Sequence, residues 1–168
     1  MARKAIFLDR DGVINQNRHD YVKDISELKI LSIIPESIKK FKLLGFLVIV
    51  VTNQSAINRG LTSHENVNKI HQTINDFLKK NKTSIDAFYY CPHTPNENCI
   101  CRKPKPGLIM QASNDFKIEL KSSWMIGDND SDVKAGKSAG CNSIKLYSNF
   151  RLLDAVNMIV KSIESESN

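Results

Sequence analysis

No run of apolar residues in the 168-residue chain approaches the roughly 20 needed to span a bilayer. The first apolar stretch, Ala5 to Leu8, stops at Asp9 and is too short for the core of a signal peptide. A cytoplasmic location without membrane contact is the expectation. Internal repeats, linkers and low-complexity segments are also missing, which predicts one domain over residues 1–163 and a polar, frayed tail over 164–168. The chain is basic, with 24 Lys and Arg against 18 Asp and Glu for a net charge of +6. Yet it has no dense basic block and no strip of alternating basic and aromatic residues, so no nucleic-acid partner is expected. Cysteines number only four, and three of them (Cys91, Cys99 and Cys101) crowd into one segment. That argues against a disulfide scaffold and for a metal site.

What is present is an ordinary globular balance, 41% hydrophobic and 25% charged, which is enough for a single buried core. Short apolar runs alternate with helical patterns. The runs are Ala5–Leu8, Phe46–Val51, Ala87–Tyr90, Trp124–Gly127 and Ser143–Leu146. Continuous apolar strands imply burial on both faces, as in a parallel sheet. Between them, Pro35 opens a helix bearing Ile38, Phe41 and Leu44, and Gly45 stops it. Thr62 and Glu65 have capping-box spacing before the stripe Val67, Ile70, Ile74, Phe77 and Leu78. Pro106 opens a third helix, Asp130 caps a fourth, and Leu152 to Ile163 form an amphipathic fifth. The pattern predicts a doubly wound α/β fold with a mostly parallel sheet.

In such sheets ligands bind beyond the carboxyl ends of the strands. Those ends carry Asp9, Thr52, Cys91 and Asp128. In an extended segment Asp9 and Asp11 address one small volume, where two carboxylates favour a cation between them or a shared proton. The alternative at this pair alone is a capped turn. Thr52-Asn53-Gln54-Ser55 offers a hydroxyl, short polar side chains and backbone N–H groups, an anion cradle. The run Gly127-Asp128-Asn129-Asp130-Ser131-Asp132 supplies carboxylates of the kind magnesium prefers. Arg102 and Lys103 bring positive charge suited to a transferring phosphoryl group. Separately, Cys91-x-His93 and Cys99-x-Cys101 provide a Cys₃His set. Tetrahedral zinc takes such sets, and four soft ligands close the shell, which makes the role structural. A redox pair between Cys99 and Cys101 is the competing reading.

Asp9-x-Asp11-Gly12, Thr52-Asn53-Gln54, Arg102-Lys103-Pro104 and Gly127-Asp128-x-x-x-Asp132 resemble, in order, the four motifs of the haloacid dehalogenase (HAD) superfamily of phosphatases. The run Phe7 to Asn15, the segment Thr52 to Gly60 and the Cys/His cluster resemble more specifically the heptose 1,7-bisphosphate phosphatases, whose near relatives are histidinol-phosphate phosphatases. The resemblance implies a Rossmann-like HAD domain without a large cap domain. It implies that Asp9 attacks phosphorus and that Asp11 serves as acid and then base. It implies magnesium on Asp9, Asp128 and the backbone carbonyl of Asp11, with Thr52, Lys103 and Arg102 on the phosphoryl oxygens. Lys103 is preferred to Lys105 because it adjoins the arginine of the motif. Asn17, Arg18, His19 and Asp20 would lie over the site and touch a sugar. Arg59 would either hold a second phosphate or face solvent, and Asp132 would either order the metal's water or cap a helix. Asn129 stands where some relatives carry lysine.

The function expected from this is a magnesium-dependent phosphatase, monomeric, with structural zinc. It would remove the 7-phosphate of a small sugar phosphate in heptose synthesis for a surface polysaccharide such as lipopolysaccharide. A histidinol-phosphate phosphatase, a nucleic-acid 3′-end phosphatase and a catalytically dead zinc-stabilised binding module are the alternatives.

Overall fold

The computed structural model describes residues 3–166. Five strands form one sheet: β1 (Lys4–Leu8), β2 (Phe46–Asn53), β3 (Ala87–Cys91), β4 (Trp124–Gly127) and β5 (Asn142–Lys145). All pairings are parallel and the order is β3-β2-β1-β4-β5. The helices are α1 (Ile34–Leu43), α2 (His64–Lys80), α3 (Gly107–Phe116), α4 (Asp130–Ala139) and α5 (Leu152–Glu166).

Alternation along each strand divides the core between the two faces. Ile6, Leu8, Val48, Val50 and Ile126 pack with α1, α2 and α5 through Ile38, Phe41, Ile70, Ile74 and Ile159. Ala5, Phe7, Ile49, Val51 and Met125 pack with α3 and α4 through Leu108, Ile109, Ala112 and Ala135. Each fully buried Val, Leu, Ile, Phe or Met among them contributes about 1.5–3 kcal/mol. In the central strand β1, Ala5, Ile6, Phe7 and Leu8 are all fully buried. No large cap interrupts the plan: β1 and β2 are joined by a loop, a short 3-10 helix (Ile25–Glu27) and α1.

The helix starts differ in detail from expectation. Ser63, not Thr62, caps α2, its hydroxyl accepting from the Asn66 N–H at 3.1 Å. The Thr62 hydroxyl is drawn away to the Lys23 carbonyl, and Glu65 pairs with Lys69 instead. Asn129, not Asp130, caps α4 and forms a reciprocal capping box with Asp132. The polar stretch expected to fray from Glu164 continues α5 to Glu166, because nothing in Glu-Ser-Glu breaks a helix; residues 167–168 lie outside the described residues. Among the described residues, no helix is long and apolar enough to cross a membrane.

The register positions the site. Leu8 lies level with Val50 on one side and Ile126 on the other. Asp9, one residue beyond Leu8, and Thr52 and Asp128, two beyond Val50 and Ile126, thus emerge together at the carboxyl edge. The chain reverses direction across the sheet between β1 and β4, the switch point where a crevice opens.

Candidate active site

Asp9 leaves β1 held at three points. Its N–H donates to the Ile126 carbonyl at 3.1 Å, and its Oδ1 accepts from the Arg10 N–H at 2.8 Å and faces Lys103 Nζ at 2.9 Å. Its Oδ2 has no hydrogen-bond partner among the described residues. Lys103 is buried, and its Nζ also reaches Asp132 Oδ1 at 2.6 Å and donates to the Val51 carbonyl at 2.8 Å. One carboxylate oxygen from each of Asp9, Asp128 and Asp132 lies within 4.8 Å of the other two. Two glycines make this crowding possible. Gly12 sits at φ +83°, and a Cβ there would lie 2.1 Å from Asp128 Oδ2. A Cβ on Gly127 would lie 2.1 Å from Asp132 Oδ2.

The electrostatics follow. Burial pushes the Asp9 carboxyl above its ordinary value, and the negative charge of Asp132 adds to this against the opposing Lys103. Burial and the charge of Asp9 likewise raise Asp128. Burial alone would lower Lys103, but Asp9 and Asp132 outweigh it and hold the ammonium above its usual range. Three carboxylates thus share one lysine, an oxygen-rich and electron-rich pocket whose donor chemistry suits a hard divalent cation such as magnesium.

Asp11 is arranged differently from the two-carboxylate expectation. The chain bends at Arg10, and the Asp11 carboxylate, whose charge still acts on Asp9 and Asp128, is not among the clustered oxygens. It accepts instead from Asn15 Nδ2 at 2.9 Å, Gln54 Nε2 at 2.9 Å and the guanidinium of Arg10 at 3.1 Å. Burial works to raise this carboxyl, but Arg10, aided by Asn15 and Gln54, wins and holds it below the ordinary value.

The segment after Thr52 also turns inward. Gln54 is buried, with its amide bridging Asp11 and the Thr52 hydroxyl and its backbone N–H on the Cys91 carbonyl. The Asn53 side chain clamps the main chain of Lys103 through bonds of 3.0 and 3.1 Å. Both side chains are committed to hydrogen bonds within the protein, as a strand end this deeply buried must satisfy its polar groups internally. Ser55 is buried and accepts from Arg59 Nε at 3.4 Å; Arg59 is exposed. The segment 17–20 is spent on itself. Arg18 grips Asp20 through two bonds of 3.0 Å and faces Glu27 at 3.7 Å, and Lys23 joins the same cluster. Asn17, Arg18, His19 and Asp20 line a separate cavity with Gln16, Glu27 and Lys29. Among the described residues, no hydrogen bond or ion pair ties 17–20 to Asp9 or Thr52. Asp132 caps α4 through Oδ2, one of the two readings left open for it, and pairs with Lys103 through Oδ1.

Beside this lies the Cys/His cluster. Its donors are separated by 3.4 Å (Cys91 Sγ to His93 Nδ1), 3.6 Å (Cys91 to Cys99), 3.5 Å (Cys99 to Cys101) and 3.3 Å (Cys101 to His93 Nδ1). A tetrahedral zinc with ordinary bond lengths has ligand–ligand edges of about 3.5–3.8 Å, so the set fits that ion with Nδ1 as the histidine donor. Cys99 Sγ accepts from the Arg102 N–H at 3.3 Å, and Arg102 Nη1 donates to the His93 carbonyl at 3.1 Å. Lys105 reaches back to the Cys99 carbonyl at 2.7 Å, so Lys103 is the lysine that faces Asp9.

Sequence reasoning missed Arg10 and His71. Arg10 is fully buried, and its Nη1 meets His71 Nε2 at 3.3 Å. An apolar strand end interrupted by arginine was the available signal.

A family model described as HAD-hydrolase-like matches residues 100–151. A D-glycero-β-D-manno-heptose-1,7-bisphosphate 7-phosphatase of Helicobacter pylori is 43% identical over 81% of this chain and 78% of its own length. The protein of the same name from Vibrio cholerae is 38% identical over 83% and 78%. Among solved structures, the D,D-heptose 1,7-bisphosphate phosphatase of B. bronchiseptica, complexed with magnesium and phosphate, superposes with a TM-score of 0.87 at 28% identity, covering 95% of this chain and 99% of that one. The chain therefore belongs to the family of D-glycero-β-D-manno-heptose-1,7-bisphosphate 7-phosphatases within the HAD-like hydrolases.

Proposed function

We propose that this HAD-type phosphatase removes the 7-phosphate of D-glycero-β-D-manno-heptose 1,7-bisphosphate, the substrate in its curated relatives' names, in the synthesis of heptose for a surface polysaccharide. The observation that carries the chemistry is the division of labour between two aspartates. Asp9 Oδ1 is pinned by Arg10 N–H and Lys103 while Oδ2 is unpartnered, and Asp11 is held in a separate network.

Asp9 Oδ2 attacks phosphorus and the bond from phosphorus to the sugar oxygen breaks, leaving an aspartyl-phosphate. Asp11 delivers a proton to the departing sugar oxygen. Arg10 keeps Asp11 ionised in the free protein. The arriving phosphate dianion raises its proton affinity, so Asp11 enters the reaction protonated. Its carboxylate then takes a proton from water as that water attacks phosphorus, and the bond to Asp9 breaks. Lys103 and Thr52 neutralise and orient the phosphoryl oxygens, with Arg102 at the rim. Asp9, Asp128 and the Asp11 carbonyl would hold magnesium, which supplies charge neutralisation for the phosphoryl group. Cys91, His93, Cys99 and Cys101 would hold zinc as a structural ion. The proposed site residues all come from one chain, which supports a monomer, and a phosphorylated sugar substrate supports a cytoplasmic reaction.

The test is phosphate release with magnesium from both heptose bisphosphate anomers, histidinol phosphate and a 3′-phosphorylated DNA oligomer, with Asp9→Asn as the blank. The expected result is a large kcat/KM preference for the β anomer and no turnover by the variant with its fold intact. Preference for histidinol phosphate or DNA replaces the substrate. Undiminished release by Asp9→Asn overturns the nucleophile.

A further inference from the structure

Arg10 carries five N–H donors into a site with no solvent. Nε and Nη2 are taken by Asp11, and Nη2 also by Gln54 Oε1 at 3.2 Å. Nη1 faces His71 Nε2 at 3.3 Å, its only side-chain partner among the described residues. A guanidinium only donates, so His71 Nε2 must be the acceptor. The ring is therefore neutral with its proton on Nδ1. Its plane is fixed by stacking on Phe88 (centroids 4.5 Å apart, 14° between planes), with Tyr90 edge-on at 5.8 Å.

We propose that His71 is a positioning residue for Asp11: it holds one arm of the buried Arg10 fork so that the other arm sets the direction of the acid–base carboxylate. The proposal rests on the reading of Asp11 as that acid and base. The ring suits the task because burial and the neighbouring Arg10 keep it neutral, with its pKa pushed down to about 3. An acceptor that gained a proton would repel the fork. Without an acceptor, buried N–H groups are left unpaired and the guanidinium turns toward whatever oxygen it can reach. Asp11 turns with it. A misplacement of about 1 Å at a catalytic group costs roughly a hundredfold in rate.

His71→Leu removes the acceptor, His71→Phe removes it while keeping the stack on Phe88, and His71→Gln restores an oxygen at the Nε2 position. Steady-state kinetics should show kcat lowered about tenfold or more in the first two, with KM nearly unchanged and kcat largely rescued in the third. His71→Phe stands in where His71→Leu fails to fold. Long-range proton–nitrogen NMR of the wild type should show a neutral His71 with its proton on Nδ1. Equal kcat in His71→Phe and His71→Gln, or a proton on Nε2, overturns the proposal. Asp11→Asn is run beside them: if it keeps full turnover, the acid–base reading itself fails.

Discussion

At the scale of single residues, chemistry was legible and direction was not. Asp9, Thr52 and Asp128 were readable because each stands at the end of an apolar run, where a parallel sheet delivers its side chains to one edge, and Lys103 because it adjoins the arginine of the resembling motif. Asn53 and Gln54 have side chains equally suited to an anion, yet both face inward, and only the neighbours supplied by Lys103, Asp11 and Arg10 decide that. Glycine was likewise visible without its reason. Gly12 combines a left-handed φ with a van der Waals gap that Asp128 fills. Gly12→Ala should therefore do two things at once: strain the backbone and push Asp128 away from Asp9. The expected outcome is a loss of kcat/KM of about a hundredfold or more with raised magnesium requirement, read from kinetics across a magnesium titration. Wild-type kinetics in Gly12→Ala would mean that the close approach has no part in catalysis.

Elements were the most legible level, because continuous apolar strands and amphipathic helices announce themselves by burial alone. Their order in the sheet was not, since no sequence pattern distinguishes β1 flanked by β2 and β4 from other doubly wound orders. Caps slipped by one residue wherever two suitable side chains stood in succession, as at Thr62 and Ser63, and a distant carbonyl settled the competition. The loop from Cys91 to Lys103 shows what an element without regular structure needs. Cys91 ends β3, Lys103 is buried in the site, and Arg102 is tied to the cluster by two hydrogen bonds. The large apolar side chain of the span between, Ile100, is exposed, so zinc on the four thiol and imidazole donors would take the place of a hydrophobic core. Cys101→Ser, or removal of zinc by chelation followed by return of magnesium, should lower kcat/KM about tenfold or more while the sheet stays folded by circular dichroism. Protein purified without chelator should contain one zinc per chain. Absence of stoichiometric zinc would refute the ligand set.

Across the whole molecule, the fold gathers charge that it does not neutralise. Asp9, Asp128 and Asp132 meet around one lysine, while Asp11 has Arg10 to itself. Folding pulls these carboxylates from water and from one another's distance, and the sheet must supply the difference. The sign in pH is clear. Asp9 and Asp128 bind protons more tightly folded than unfolded. Their contribution to stability is therefore present at low pH and is lost as pH rises through the carboxylate range and their raised values. A divalent cation bound by the folded state reverses that loss by mass action. Asp128→Asn removes one of the repelling charges and a proposed ligand together. The variant should melt at higher temperature than the wild type in the absence of metal, at about 2–4 °C per kcal/mol for a chain of this size. It should also lose most of the rise in melting temperature that magnesium gives the wild type. The two effects have opposite signs and a common cause, so they test the site as a unit. If magnesium stabilises Asp128→Asn as much as the wild type, the cation sits elsewhere. If the metal-free variant melts lower, Asp128 holds the fold together by contacts that outweigh its charge.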